Sequence, residues 1–272
     1  AKVSQSEKER VKHHLIDIID PDQEFSVAEY QERVDKLIPK IIEKNFLPVL
    51  VGGTGLYIKA VVQGFLFPEM KTNMELRNRL EKEAKLYGNG YVHDKLKKID
   101  KDLANKLHPN DIRRVIRGIE VFHATGHTIT YYKKKQEETP ERYNVLKIGL
   151  TRDREVLYQR INQRVDIMLE NGLIGEVKKL LNMGYGMGIT SLQGLGYKEI
   201  IGYLNDEYSL EEAVRILKRD TRHFAKRQMT WFNRDKDIHW FDLSRKDYEI
   251  TYNEIIRLIK KWIKLLDIDF KC

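Results

Sequence analysis

Apolar residues recur at helical spacing over most of this chain, and only a few short stretches break the rhythm. After a polar opening over residues 1–12, HHLIDIID is a short apolar run closed by Asp20-Pro21, which predicts a short strand or edge segment. Ser26-Val-Ala-Glu29 spells a capping box. Val27, Tyr30, Val34, Leu37, Ile38, Ile41 and Ile42 follow on one face, predicting a helix that runs to about Lys44. Phe46–Val51 (FLPVLV) reads as a buried strand, Gly52-Gly53-Thr54-Gly55 as a tight loop, and Leu56–Gly64 as the next helix. Helix, buried strand, glycine loop and helix in succession predict an α/β fold around a parallel sheet.

From Phe65 to about Tyr143 the texture changes to charged helices, broken at Gly88-Asn89-Gly90 and at His108-Pro109-Asn110. This predicts a helical insertion over residues 66–143 within a discontinuous core of 1–65 and 144–272. Strand character returns at Asn144–Leu150 (NVLKIGL). Thr151 is placed to cap the next helix, whose apolar stripe is Leu157, Ile161, Val165 and Met168. The remainder is mainly helical. Ile238–Leu243 (IHWFDL) is the exception, a last strand, and Tyr252–Leu266 forms a final helix without catalytic features.

Composition narrows the class only modestly. A chain of 272 residues with 41% hydrophobic and 33% charged content can bury a sizeable core as a soluble protein. Its formal charge of +8 suits a polyanionic partner without proving one. The single cysteine, Cys272, excludes an internal disulfide framework and a cysteine-based zinc site, so a reducing, cytoplasmic setting is expected. No run approaches the roughly 20 apolar residues of a membrane span, and AKVSQSEKER has no apolar signal-peptide segment. The chain lacks an initiator methionine and begins mid-pattern, so an upstream segment is expected to be missing.

Several strings could carry chemistry. In VGGTGLYIKA a glycine turn after a strand would let backbone N–H groups approach a phosphate, with Thr54 offering a hydroxyl at the helix mouth. No G-x-x-x-x-G-K-[ST] string is present, so this is not a Walker A loop. In HPNDIRRVIRGIEVF, Arg113, Arg114 and Arg117 cluster with only Glu120 near enough on the helix to neutralise them. In QRINQRVD, Arg160 and Arg164 share a side away from the apolar stripe, and an arginine there could hold a pyrophosphate bidentately. In SLQGLGYKEI two glycines open a helix, as suits a loop that meets another molecule closely. Taken singly, each has a plain structural reading: a strand-to-helix turn, a solvated face, a surface salt bridge, a helix cap.

The densest signal is Thr221–Arg234, TRHFAKRQMTWFNR, at the end of a helix beginning near Ser209. Arg215, Arg219, Arg222 and Lys226 follow one helical stripe, with Leu210, Val214, Leu217 and Phe224 broadly opposite. That ridge runs into Arg227, Gln228, Met229, Thr230, Trp231 and Phe232. Cations for phosphates beside aromatic faces for bases point to RNA or another phosphate-rich partner.

Together, HHLIDIIDPDQEFSVAEY, LVGGTGLYIKA, HPNDIRRVIRGIEVF, QRINQRVDIMLENGL, LQGLGYKEI and AKRQMTWF occur in the order and spacing of the tRNA dimethylallyltransferases, which this chain resembles over nearly its whole length. The resemblance implies a P-loop NTPase-like core with a helical insertion that grips the tRNA anticodon stem-loop. It implies transfer of a dimethylallyl group from dimethylallyl diphosphate, with Mg²⁺, to N6 of the adenosine 3′ of the anticodon. By the same resemblance Arg164 matches the arginine that binds departing pyrophosphate, and Thr54 a threonine at the reaction channel. Arg113, Arg114, Val115, Ile116 and Arg117 match a tRNA-contact segment. So do Gln193, Gly194, Leu195, Gly196, Tyr197 and Lys198, and so does the run from Lys226 through Asn233, extended to Arg222 and Arg234. Arg77 is a further expected tRNA contact. The family reads KRQ-x-TWFR, whereas here Asn233 follows Phe232 and the arginine comes next.

The family's Walker A-like loop and general-base aspartate would precede Ala1. Roughly 45 to 50 residues are expected to be absent, leaving no metal ligand assigned within this chain and the chain alone inactive. A monomer is expected, with no membrane partner. Two other readings fit parts of the pattern: a noncatalytic RNA-binding fragment, and the related adenylate isopentenyltransferases acting on free nucleotide. The helical insertion and basic ridge favour tRNA, since a free nucleotide needs no such footprint.

Overall fold

A computed structural model describes residues 5–68, 70, 73–244, 248–266 and 270. Cys272 and the ends of the chain fall outside them. The protein divides into two compact units, Ala1–Leu56 with Val145–Cys272, and Tyr57–Asn144. Most of the chain's excess of basic over acidic residues lies in Tyr57–Asn144. Among the described residues no helix is long and apolar enough to cross a membrane.

The first unit opens with α1 (Gln5–Arg10) and α2 (Val27–Ile42). The capping box forms: the Ser26 hydroxyl accepts from the Glu29 N–H at 3.2 Å, and the Glu29 carboxylate accepts from the Ser26 N–H at 2.7 Å. That second bond holds the Glu29 carboxyl below the usual carboxylate range. Helix α3 (Gly55–Gln63) then leads out of the glycine loop.

The second unit is all helical: α4 (Met74–Tyr87), α5 (Asn89–Ile99), α6 (Lys101–Ala104), α7 (Ile112–Thr125) and α8 (Ile129–Glu137). Leu76, Leu80, Val92, Leu96, Ala104, Leu107, Val115, Ile116 and Ile119 form its own core. Buried Asp100 is fully engaged there, accepting from the Leu103 N–H at 3.0 Å, the Thr130 N–H at 3.0 Å and the Thr130 hydroxyl at 2.6 Å.

The first unit resumes with β1 (Lys147–Thr151), α9 (Arg154–Glu170) and α10 (Leu173–Asn182), then a 3₁₀ turn (Thr190–Gln193) and α11 (Tyr197–Leu204). It closes with α12 (Leu210–Phe232), β2 (Ile238–Asp242) and α13 (Tyr248–Leu266). The two strands pair in parallel, from Lys147 opposite Ile238 to Thr151 opposite Asp242. Lys147 also reaches Asp235 at 2.8 Å and Asp237 at 3.4 Å, tying the strand start to the turn before β2. Beside the sheet, Val165, Leu173, Val177, Leu192, Ile200, Ile201 and Leu217 make one core among α9, α10, α11 and α12. The protein is thus a mostly helical α/β fold with a small parallel sheet.

Three expectations are corrected. Phe46–Val51 is neither strand nor buried: Val49 is 71% and Val51 88% exposed. Pro48 lacks an N–H to donate to a ladder, and among the described residues the only sheet is the β1–β2 pair. HHLIDIID is likewise no strand, because Leu15 and Asp17 sit at φ 58° and 53°, in the left-handed region that breaks an extended run. Thr151 ends β1, and the cap of α9 is Asp153, whose carboxylate accepts from the N–H groups of Glu155 at 2.8 Å and Val156 at 3.4 Å.

Candidate functional site

The glycine loop and the end of α12, remote in sequence, are joined in the first unit. The Gln228 side-chain amide donates to the Gly53 carbonyl at 3.0 Å. Three residues on, the Trp231 indole lies against Gly55. A Cβ on Gly53 would stand 1.9 Å from Gln228 Nε2, and one on Gly55 would stand 2.1 Å from Trp231 Nε1. Only glycine admits the helix this closely. Between them Thr54 is exposed, and its hydroxyl has no hydrogen-bond partner among the described residues. Sequence reasoning placed Gln228 and Trp231 on the RNA and missed this link. The available signal was a pair of glycines bracketing one hydroxyl residue in a loop that lacks the Walker lysine.

Helix α12 is capped by Ser209, whose hydroxyl accepts from the Glu212 N–H at 3.2 Å, and it packs antiparallel to α9. Arg222 donates to the Asn162 side chain at 2.8 Å and lies over the Tyr158 ring at 5.9 Å, while Lys218 pairs with Asp166 at 2.6 Å. Much of the expected cationic ridge is likewise engaged within the unit. Arg215 grips Glu212 with two nitrogens, at 2.7 and 2.6 Å, and Arg219 meets Asp220 at 2.8 Å. The Arg219 hydrogen bond holds the Asp220 carboxyl below its usual range.

Toward the end of the helix Lys226 and Arg227 are exposed, and Lys226 has no side-chain partner among the described residues. Phe224, expected opposite the cations, is 39% exposed and carries the Arg227 guanidinium 5.7 Å above its ring. Met229 and Phe232 are half-buried, whereas Thr230, Asn233 and Arg234 are exposed. Arg164 is exposed on the flank of α9 opposite Asn162 and Asp166, and it exchanges no hydrogen bond with Thr54.

The QGLGYK segment is braced from within. Glu199, 1% exposed, accepts from the Gly196 N–H at 2.8 Å, and the Tyr208 hydroxyl donates to the Glu199 carbonyl at 3.1 Å. The other Glu199 oxygen makes no hydrogen bond, but the Lys198 ammonium stands 3.4 Å away, close enough to balance its charge. Lys198 also reaches Asp220 at 3.6 Å. Tyr197 donates to Glu176 at 2.6 Å, and burial together with that carboxylate pushes its phenol up to about 12. Gln193 and Gly194 are exposed, Leu195 half-buried and Gly196 buried.

In the second unit the arginine cluster is less available than its spacing suggested. Arg77 holds Glu120 bidentately, at 3.0 and 2.9 Å, and Arg117 adds a contact to the same buried carboxylate at 3.8 Å. Arg114 pairs with Asp111 at 2.6 Å. Arg113 alone of the group is exposed without a partner among the described residues. Two expected RNA contacts are corrected outright: Val115 and Ile116, 0% and 3% exposed, belong to the core and present no side chain to a ligand. Arg77 gives two of its N–H groups to Glu120 and keeps about a third of its side chain exposed.

Among the described residues no group of histidine, cysteine, aspartate and glutamate side chains could hold a metal ion.

A family model described as IPP transferase matches residues 1–235. The tRNA dimethylallyltransferase of Halothermothrix orenii is 63% identical over 97% of this chain and 80% of its own length, and that of Desulforamulus reducens is 51% identical over 94% and 91%. Among solved structures, the full-length tRNA isopentenylpyrophosphate transferase of Bacillus halodurans aligns with a TM-score of 0.69 at 43% identity, over 97% of this chain and 82% of that one. A eukaryotic dimethylallyltransferase acting on tRNA aligns at 0.80 with 25% identity, over all of this chain and 70% of its own. With the glycine loop, the braced QGLGYK segment and the KRQMTW helix end all in place, the chain belongs to the IPP transferase family.

Proposed function

We propose that this chain transfers the dimethylallyl group of dimethylallyl diphosphate to N6 of the adenosine 3′-adjacent to a tRNA anticodon. The observation that carries the reading is the joining of the Thr54 loop to the exposed cations Lys226 and Arg227 and the exposed indole at the end of α12, which puts an exposed hydroxyl beside a surface suited to RNA. In the reaction the N6 lone pair forms a bond to C1 of the dimethylallyl group, the C1–O bond breaks, and diphosphate leaves with the electron pair. N6 gives up a proton to a base. Arg164, exposed and without a partner among the described residues, is the residue assigned to the departing diphosphate, which its planar guanidinium can hold bidentately. The β1–β2 pair belongs in this reading to a P-loop NTPase-like core, and Tyr57–Asn144 is the insertion that contacts the anticodon stem-loop. Arg113 on α7 is exposed without a partner among the described residues and is offered to the RNA.

The test incubates the full-length enzyme with dimethylallyl diphosphate and unmodified tRNA and examines the nucleoside digest by mass spectrometry. Dimethylallyl-adenosine at the position after the anticodon is the expected product. Prenylation of AMP with none on tRNA would overturn the proposal. In Arg164→Ala, turnover should fall far more than tRNA affinity, and equal loss of both would remove the diphosphate role.

A further inference from the structure

The best-defined contact at the site is one that the proposed reaction does not use. Gln228 bonds the Gly53 carbonyl at 3.0 Å, and the Trp231 indole edge closes on Gly55, so the chain is held on both sides of Thr54. We propose that Gln228 and Trp231 are positioning residues: together they clamp the Gly53–Gly55 backbone from α12 and so fix the direction of the Thr54 hydroxyl. The inference rests on Thr54 standing at the reaction channel, as the proposed function has it.

The physical case has three parts. First, a glycine-rich loop is conformationally permissive, and two of the four residues at 52–55 are the points that α12 touches. Left unclamped, the loop would sample many backbone states. Second, threonine is β-branched and stiff at χ1, so fixing its backbone restricts the hydroxyl to few directions. Third, α12 is itself anchored, by Arg222 to Asn162 and Lys218 to Asp166, so the clamp is mounted on a rigid element. Trp231 remains 44% exposed, so its indole can close the loop and still offer a face outward. Gln228 is half-buried, and one of its two amide protons is committed to the Gly53 carbonyl.

The experiment compares Gln228→Ala and Gln228→Glu with the wild type. The glutamate keeps the side-chain volume but faces the Gly53 carbonyl with an acceptor, so it separates lost bonding from lost packing. Backbone order parameters over residues 52–55 should drop in both variants from the roughly 0.85 of a rigid backbone to below about 0.6. Those along the α9–α12 seam should keep their wild-type values. At saturating tRNA and dimethylallyl diphosphate, kcat should fall about ten- to a hundredfold, the scale of a misplacement near 1 Å. The tRNA Kd should stay within about twofold, well under the tenfold that 1.4 kcal/mol represents. Unchanged loop order parameters would overturn the clamp. A Kd that weakens as much as turnover would make Gln228 an RNA contact instead. A wild-type protein inert toward tRNA would overturn the proposed function and the kinetic half of this inference, while the order-parameter arm would still decide the clamp.

Discussion

Arg77 and Arg113 look alike in the sequence, and the structure gives them opposite roles. Arg77 bonds Glu120, 43 residues away, and that carboxylate is completely buried. Removing the guanidinium leaves the buried carboxylate with Arg117, at 3.8 Å, as its remaining cationic partner among the described residues. Arg77→Ala should therefore cost about 2 kcal/mol in urea unfolding; a variant as stable as wild type would show the pair to be dispensable. Arg113→Ala should change stability by less than about 0.5 kcal/mol yet weaken tRNA retention. Tyr197 offers a titratable check on the QGLGYK brace. Its folded-state pKa of about 12 exceeds the ordinary 10.0, so folding favours the protonated phenol. That contribution is present below pH 10 and is lost as pH rises toward 12. The gap in urea midpoint between wild type and Tyr197→Phe should narrow over that window, and a constant gap would mean that the phenol does not titrate as assigned.

At the scale of elements, α12 is divided along its length. Arg215, Arg219 and Arg222 are occupied by Glu212, Asp220 and Asn162, whereas Lys226 has no side-chain partner among the described residues and the exposed Arg227 meets only the Phe224 ring among them. The double variant Lys226→Ala/Arg227→Ala should flatten the dependence of tRNA affinity on salt by about 1.5 in log–log slope. Arg215→Ala should leave that slope as it is, and a reversed order would place the RNA at the other end of the helix. The stripe of cations was readable from spacing, as were Glu212 and Asp220 beside them on the same helix, but the Asn162 that engages Arg222 was not, because it comes from another helix. For the same reason the capping box at Ser26 and the strands at Lys147 and Ile238 were legible, being local signals. Phe46–Val51 was misread because an apolar run promises a strand only where a neighbour exists to pair with it. The clamp on Gly53 and Gly55 was illegible because it depends on how close a helix comes, which composition does not record.

At the scale of the whole molecule, Tyr57–Asn144 has the attributes of an independent folding unit. It has its own core spread over α4, α5 and α7, and its buried polar groups Asp100 and Glu120 are satisfied from within. Its two chain crossings are also tied together inside the unit. The Gln136 side chain accepts from the Leu66 N–H at 2.9 Å and donates to the Gln63 carbonyl. A domain of this size is near the lower limit at which a single core suffices, so closing the neck should matter. Residues 57–144 expressed alone should give a helical far-UV spectrum and one cooperative thermal transition. Gln136→Ala, which opens the neck and orphans two backbone groups, should lower that transition by several degrees, the expected shift for about 1 kcal/mol in a domain this small. A fragment that melts without cooperativity would mean that the unit borrows its stability from the rest of the chain. If it folds, it also isolates most of the net positive charge, and its tRNA affinity, measured alone, would show how much of the grip the insertion supplies by itself.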